Sequence, residues 1–385
     1  MASVSLESVR TTQLEATEAA AHLVSQLKGD DPKLVCFFSA RSVDQAALNQ
    51  ALRERLPKGT RLVGATTGGE VDRDGIHQGT IVLGALSGDF EVGIGLGEKL
   101  QENALQAGED AARQACRELG VRQADLDLRH YFGMVMDDGY QQKKEELLLG
   151  VLSKNQGTVL VGGGANDQSP FGGTAIIHAD DRVSTNSAVM VMFHTEAPWG
   201  ALRSHAYQPT GKRLMITKTD ETGKRALEID GEPAVKRYAE LTEVGVEELD
   251  FGKPRGFGSS TLALKVGREY FIRSPLMPLP DGSIQFANFL EDETELELMN
   301  LGSMPEVTRA FFAEELPRRV KNPQAAMLFH CSGRYMLAQA KNQVEELSKA
   351  FAEAPVSVGL NCNFELYCGF HINTTLTTLA FGSDG

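Results

Sequence analysis

The sequence has no basic run, no CxxC pair and no apolar stretch long enough to cross a bilayer. Each absence removes a class of function. Only 38 Lys and Arg stand against 52 Asp and Glu, a formal net charge of −14. Nucleic-acid binding draws most of its affinity from clustered cations, so a phosphate-backbone partner is set aside. The longest apolar runs, such as Ser187 to Phe193, stop far short of the roughly 20 residues of a membrane helix. The opening MASVSLESVRTTQLEATEAAAHLVSQL lacks a cationic flank followed by an apolar segment, and reads as an amphipathic helix rather than a secretory signal. Five cysteines, an odd number, fit the reduced thiols of a cytoplasmic protein better than a disulfide framework. Enzyme signatures are missing as well. There is no G-x-x-x-x-G-K-[ST] loop, no G-x-S-x-G elbow and no H-E-x-x-H.

What is present is a repeat. The first unit runs from the apolar segment Leu34 to Phe38 through a polar turn at Ser39 to Ser42. A helix-period stretch to Leu56 and a second strand, Arg61 to Glu70, follow. His130 to Met136, the turn DDGY, a helix through Leu152 and Thr158 to Gln168 repeat that order. So do Ala325 to His330, the turn CSGR, a helix from Tyr335 to Ala352 and Pro355 to Glu365. Gly64, Gly162 and Gly359 close the second strands, with Glu70, Gln168 and Glu365 at the same offset beyond them. A β-rich segment ends each unit, beginning at Gly79, Asn186 and Asn373. The pattern predicts an α/β (α+β) fold of two interacting halves, built from repeated β-α-β-hairpin units with sheets flanked by helices. In a parallel β-α-β unit the turns after both strands fall on one edge, where open α/β sheets bind ligands. Glycine there permits close backbone approach to a ligand, or simply makes the turn.

A different region separates units two and three. Asp281 to Met299 reads as a hairpin pair with a turn at Asp281-Gly282. Ala234 to Leu241 reads as a helix begun just after Pro233. The strand pattern lapses between Ala197 and Gly211, placing domains at 1–208 and 209–385.

Two side-chain groups carry candidate chemistry. The shared edge gathers Thr66, Thr67, Glu70, Asp137, Asp138, Asn166, Asp167, Ser332, Arg334, Asn361 and Glu365. Arg334 suits a ligand carboxylate and the acids an ammonium, as an amino-acid-like ligand requires. The competing reading is that Asp137, Ser332 and their like cap helices. The second group is His330, Cys331, Cys362, Cys368 and His371. Thiolate and imidazole are the usual ligands of haem iron or zinc, although the spacing matches no standard zinc pattern and free cysteine is commonly a small core hydrophobe. A hydrolase or transferase can be drawn from a Cys331 or Ser332 nucleophile, His371 as base and Glu365 as orienter. No motif supports it, and the chain is read as a non-enzyme.

Stretches across the chain resemble the FIST family, with its FIST N and FIST C domains. The N-domain likeness rests on RLVGATTGGEV, GTIVLGAL and VGGGANDQSPFGGTAIIHADDRV. The C-domain likeness rests on LEIDGEPAVKRYAEL, FIRSPL, DGSIQFANFLEDETELEL, FHCSGR and GLNCNFELYCGFHINTTLTTLAF. The resemblance implies an intracellular small-ligand sensor in signal transduction, partnered by a histidine kinase or other signalling protein. In its sharpest form it implies a haem-based nitric oxide sensor, and otherwise an amino-acid-type sensor without haem. Where members usually carry a more aromatic and Gly-rich run, this chain has Gly359 to Glu365.

Overall fold

The computed structural model describes residues 2–29, 31–167 and 172–384. All three units are present with one internal order. In the first, Leu34–Ser39 lies parallel to Arg61–Thr66 and antiparallel to Ile81–Gly88. In the second, Tyr131–Asp138 lies between Leu160–Ala165 and Ser187–Thr195 in the same senses. Ala325–Cys331, Val356–Tyr367 and Leu376–Phe381 complete the third. The crossover helices are Gln45–Arg55, Lys144–Val151 and Ser332–Ala340. Asp44 starts the first of these by accepting the Ala47 N–H at 3.0 Å.

The units close into a ring. Beyond its second strand each one sends a hairpin onto the second strand of another. Glu70–Asp72 of unit one pairs with Val358 to Leu360 of unit three. Glu365 to Tyr367 of unit three pairs with Val161 to Gly163 of unit two. Ile177–Ala179 of unit two pairs with Val63 to Ala65 of unit one. No unit can therefore satisfy its second-strand hydrogen bonds alone. Apart from the exchanged hairpins, the strands of units two and three share one eleven-stranded sheet, and those of unit one lie in a separate six-stranded sheet. Phe38, Phe132, Phe193, Phe329 and Phe381 fill the core between these sheets.

Glycine explains two of the closest approaches. A side chain at Gly162 would run into the Val135 carbonyl, and one at Gly359 into the Leu328 carbonyl. Those partners sit directly across the parallel pairing. The repeated glycine thus serves strand packing rather than approach to a ligand. Gly93, Gly95 and Gly97 alternate along Phe90–Glu98 and bare one face of that strand. The helix Ala104–Glu118 lays the Ala107, Ala111 and Ala115 carbonyls on that face.

Residues 207–301 supply an antiparallel eight-stranded sheet between units two and three. Its helix, Ala234–Thr242, begins after Pro233 as its sequence predicts. Its long strand Tyr207–Thr219 runs through Pro209 and Gly211 with a register shift beside them.

Three local expectations are corrected. The opening is not helical throughout. Val4 and Leu6 are buried while Ser5 is exposed, a period of two, so Val4–Thr11 adds as an edge strand to Ile81–Gly88 before the helix Ala16–Gln26. The Asp281-Gly282 turn joins Ile284–Phe286 to the preceding strand Pro275–Pro278, and Thr294–Leu301 pairs elsewhere. The helix expected from Tyr335 to Ala352 is two helices, Ser332–Ala340 and Val344–Ala350, broken where Asn342 takes a φ of 54°. No helix of the described residues is long and apolar enough to cross a membrane.

Candidate functional site

The turns of units two and three meet at the carboxyl ends of Tyr131–Asp138 and Ala325–Cys331, and the antiparallel sheet covers them. Between them lies a cavity of about 230 Å³. Unit two contributes Gly139 and Tyr140, and unit three Cys331, Ser332, Met336, Asn363, Phe364 and Thr374. The sheet and its loops contribute Phe251, Ser274, Leu276, Met277 and Gln285. No described lining residue carries a formal charge. The helix Ser332–Ala340 starts at this cavity with Cys331 at its N-cap position, making no side-chain cap.

Beneath the thiol lies a buried carboxyl. Glu365 Oε1 accepts from Cys362 Sγ at 3.3 Å and Oε2 from the Thr375 N–H at 3.1 Å. The same carboxyl acts on Cys331 electrostatically, and the Cys331 sulfur accepts the Thr374 N–H at 3.2 Å. Burial pushes Glu365 up to about 8. Burial, then Glu365, pushes both thiols well above the usual thiol range. Unit one repeats the clamp: Glu70 Oε2 accepts the Thr80 N–H at 3.0 Å and Oγ at 2.7 Å. Burial pushes Glu70 up to about 7. The repeated acid therefore ties the hairpin to the start of the unit's last strand. Gln168, the third member, lies outside the described residues.

Most of the other sequence candidates find partners within the protein. Thr66 Oγ1 accepts the Ile176 N–H at 3.0 Å, and Thr67 Oγ1 donates to the Asn361 carbonyl at 3.1 Å. Asp137 is paired with Lys144, both buried. Asp138 caps its turn, accepting from Gln141 at 3.0 Å and from the Asn186 N–H at 3.1 Å. Asp167 accepts from the Tyr140 hydroxyl at 2.5 Å. Asn166 joins the units, accepting the Gly68 N–H and donating to Ser332 at 2.9 Å and Asn363 at 2.8 Å. Asn361 Oδ1 lies 2.6 Å from His330 Nδ1.

Arg334 does not reach out for a ligand carboxylate. It is buried, and it donates to the Ser204 carbonyl at 3.1 Å and to Thr308 Oγ1 at 2.6 Å. Burial pushes its guanidinium down to about 10, against the pull of Glu365. Of the edge candidates, Ser332 alone is among the described lining residues.

The thiol and imidazole group is also divided. Cys331 and Cys362 are register partners on adjacent parallel strands. Cys368 is exposed. His330 is buried under Phe351 at a ring separation of 5.7 Å. His371 Nδ1 lies 2.8 Å from Glu145, whose other oxygen accepts from Lys224 at 3.0 Å. Burial raises the Glu145 carboxyl, but His371, Lys224 and the Phe289 N–H together hold it well below the usual range. That network joins unit two to the antiparallel sheet. Among the described residues, no three His, Cys, Asp or Glu are disposed to hold a metal ion.

The FIST N domain model matches residues 33–232, and the FIST C domain model residues 234–368. The chain belongs to the FIST family. FIST domains are small-ligand-binding sensory domains of signal transduction. Uncharacterized protein MJ1623 of Methanocaldococcus jannaschii is 26% identical over 182 residues, 47% of this chain and 35% of its own length. The match thus spans about a third of the archaeal protein. PurLQS from Thermotoga maritima aligns over 99% of this FIST chain and 72% of its own, at 11% identity and a TM-score of 0.20. T. maritima PurL complexed with AMPPCP aligns over the same shares at 12% identity and a TM-score of 0.19. Likeness at those scores carries no argument about fold or activity.

Sequence reasoning located Cys331 and Ser332 but missed most of the lining. Asn363 and Phe364 lie inside the quoted GLNCNFE, where Phe364 takes a φ of 64°, uncommon for an aromatic residue. Phe251, Met277 and Gln285 have no motif; only the covering sheet brings them here.

Proposed function

We propose that this FIST protein is a sensory module whose cavity takes a small uncharged ligand with an apolar body and one or two hydrogen-bonding groups. The observation that carries this reading is the composition of the cavity wall: amide, hydroxyl and thiol groups set among Phe251, Leu276, Met277, Met336 and Phe364, without a described charge. A zwitterionic amino acid would bring two charges to a wall offering no counter-charge, at a cost in desolvation. Arg334 and the edge acids are occupied elsewhere. Because units two and three and the antiparallel sheet all line the cavity, a ligand favours their docked arrangement over a looser one. A signalling protein reads that shift; a histidine kinase is the class we propose.

The donor set argues against haem in this cavity. Cys331 is the one His or Cys among the described lining residues, and burial holds it as a thiol where a haem ligand is a thiolate. The volume of about 230 Å³ is also below the roughly 300–1,000 Å³ of pockets for drug-sized ligands.

A thermal-shift screen should find stabilisers among uncharged compounds and few among amino acids or haem. A ligand at about 100 times its Kd adds about 2.7 kcal/mol. Met336→Trp, which fills the cavity, should abolish that gain while the free protein stays folded. Stoichiometric haem or amino-acid binding that survives Met336→Trp would sink this reading.

A further inference from the structure

We infer that Cys331 and Cys362 are a hydroperoxide-oxidisable thiol pair that closes reversibly to a disulfide at the floor of the cavity. The inference is independent of which ligand the cavity takes. The two residues are register partners on adjacent parallel strands, so both side chains stand on the same sheet face. Such strands lie about 4.8 Å apart, within the roughly 4.4–6.8 Å that disulfide Cα atoms span. Cys362 donates to the Glu365 carboxyl, and the same group acts on Cys331 electrostatically. Cys331 lines the cavity and is open to a small oxidant, whereas Cys362 lies wholly buried behind it. That is the arrangement of an attacking thiol and a resolving one.

The surroundings supply the proton movement. The protonated Glu365 carboxyl accepts the Cys331 proton on one oxygen as it releases its own from the other, and the charge developing on the sulfur faces the Thr374 N–H and the start of the helix Ser332–Ala340. The thiolate attacks one peroxide oxygen and the O–O bond breaks. The departing alkoxide or hydroxide takes the proton from Glu365, leaving Cys331 as sulfenic acid. Cys362 sulfur then attacks the Cys331 sulfur, the S–O bond breaks, and hydroxide leaves as water with the Cys362 proton. Two thiols and one hydroperoxide become one disulfide, one alcohol and one water; for hydrogen peroxide the alcohol is a second water. Cys36 on Leu34–Ser39 and Cys116 on Ala104–Glu118 are both buried and serve as internal controls. Cys368 is exposed, so the test uses a Cys368→Ser background.

The full chain in that background is treated with hydrogen peroxide, trapped with N-ethylmaleimide and read by intact mass and peptide mapping. The expected result is a mass lower by two hydrogen atoms, a crosslinked Cys331–Cys362 peptide, and full reversal by dithiothreitol. Cys362→Ser should instead accumulate oxygen on Cys331, and Cys331→Ser should leave Cys362 unoxidised. Glu365→Gln should slow oxidation by about tenfold or more, with Cys36 and Cys116 still protected as evidence that the fold is intact. Failure to crosslink in the folded protein, or oxidation of Cys362 at an unchanged rate in Cys331→Ser, overturns the inference. The same outcomes leave the ligand-binding reading standing, since thermal shift tests that separately.

Discussion

Gly95→Val will destabilise the fold by about 3 kcal/mol or more, the upper part of the range for overpacking. The strand Phe90–Glu98 pairs with Ser187–Thr195 along its whole length, so it has little freedom to retreat. On its other side, the Ala111 carbonyl of the helix Ala104–Glu118 occupies the space a Cβ at Gly95 would need. The obstacle is backbone, and no rotamer change relieves it. Moving the helix would disturb its second contact, where Gly108 faces the Leu147 carbonyl and Gly150 the Leu105 carbonyl. Strand, helix and neighbouring helix are thus locked by small residues at three successive surfaces. Gly252→Val is the matched control, since nothing lies within reach of a Cβ there and its φ is not positive. It should change stability by less than about 0.5 kcal/mol. Urea titrations of the two variants decide the matter; near-equal midpoints would remove the close-packing argument.

The repeat was legible because each unit must solve the same local problem. A buried first strand, a crossover helix and a glycine against the first strand leave visible spacing in the sequence. The ring was not legible, because its closure depends on pairings between distant segments. Thr67 and the Asn361 carbonyl it contacts are 294 residues apart. Nothing near Glu70 indicates that its strand lies against Leu360. The opening strand failed for a different reason: Val4 and Leu6 are too few to distinguish a period of two from a helical face.

The candidate site was legible only where the repeat and the chemistry coincided, at Cys331 and Ser332. Polar residues at the carboxyl edge look alike in sequence whether a ligand or the protein will satisfy them. For Asp137 the deciding residue was Lys144, at the start of the crossover helix and buried against it. A lysine on the inward side of that helix requires a buried carboxylate, a signal that the spacing of the two residues already carries. Arg334 offered no equivalent, since its acceptors Ser204 and Thr308 lie 130 and 26 residues away.

Glu365 provides the second large effect, read through pH. Burial lifts its folded-state pKa from 4.5 to about 8, so the native protein holds a proton there that the unfolded chain releases above its own lower pKa. A raised pKa contributes stability that is fully present below the unfolded value and lost as pH rises through the folded one. The loss therefore runs from about pH 4.5 to about pH 8 and falls with increasing pH. Each tenfold difference in proton affinity is worth about 1.4 kcal/mol, so the loss from this one group is on the order of a few kcal/mol. Glu365→Gln keeps an oxygen for the Thr375 N–H and has no proton to lose. Its stability relative to the unaltered protein should rise by a few kcal/mol between about pH 5 and about pH 9. Histidine titration is common to both proteins and largely cancels in that difference. Glu70, lifted to about 7, acts in the same direction, so adding Glu70→Gln should flatten the profile further. A difference that stays constant with pH would mean that Glu365 is ionised in the fold. Its charge would then be balanced by Arg334, and the buried cation and buried acid would be partners after all.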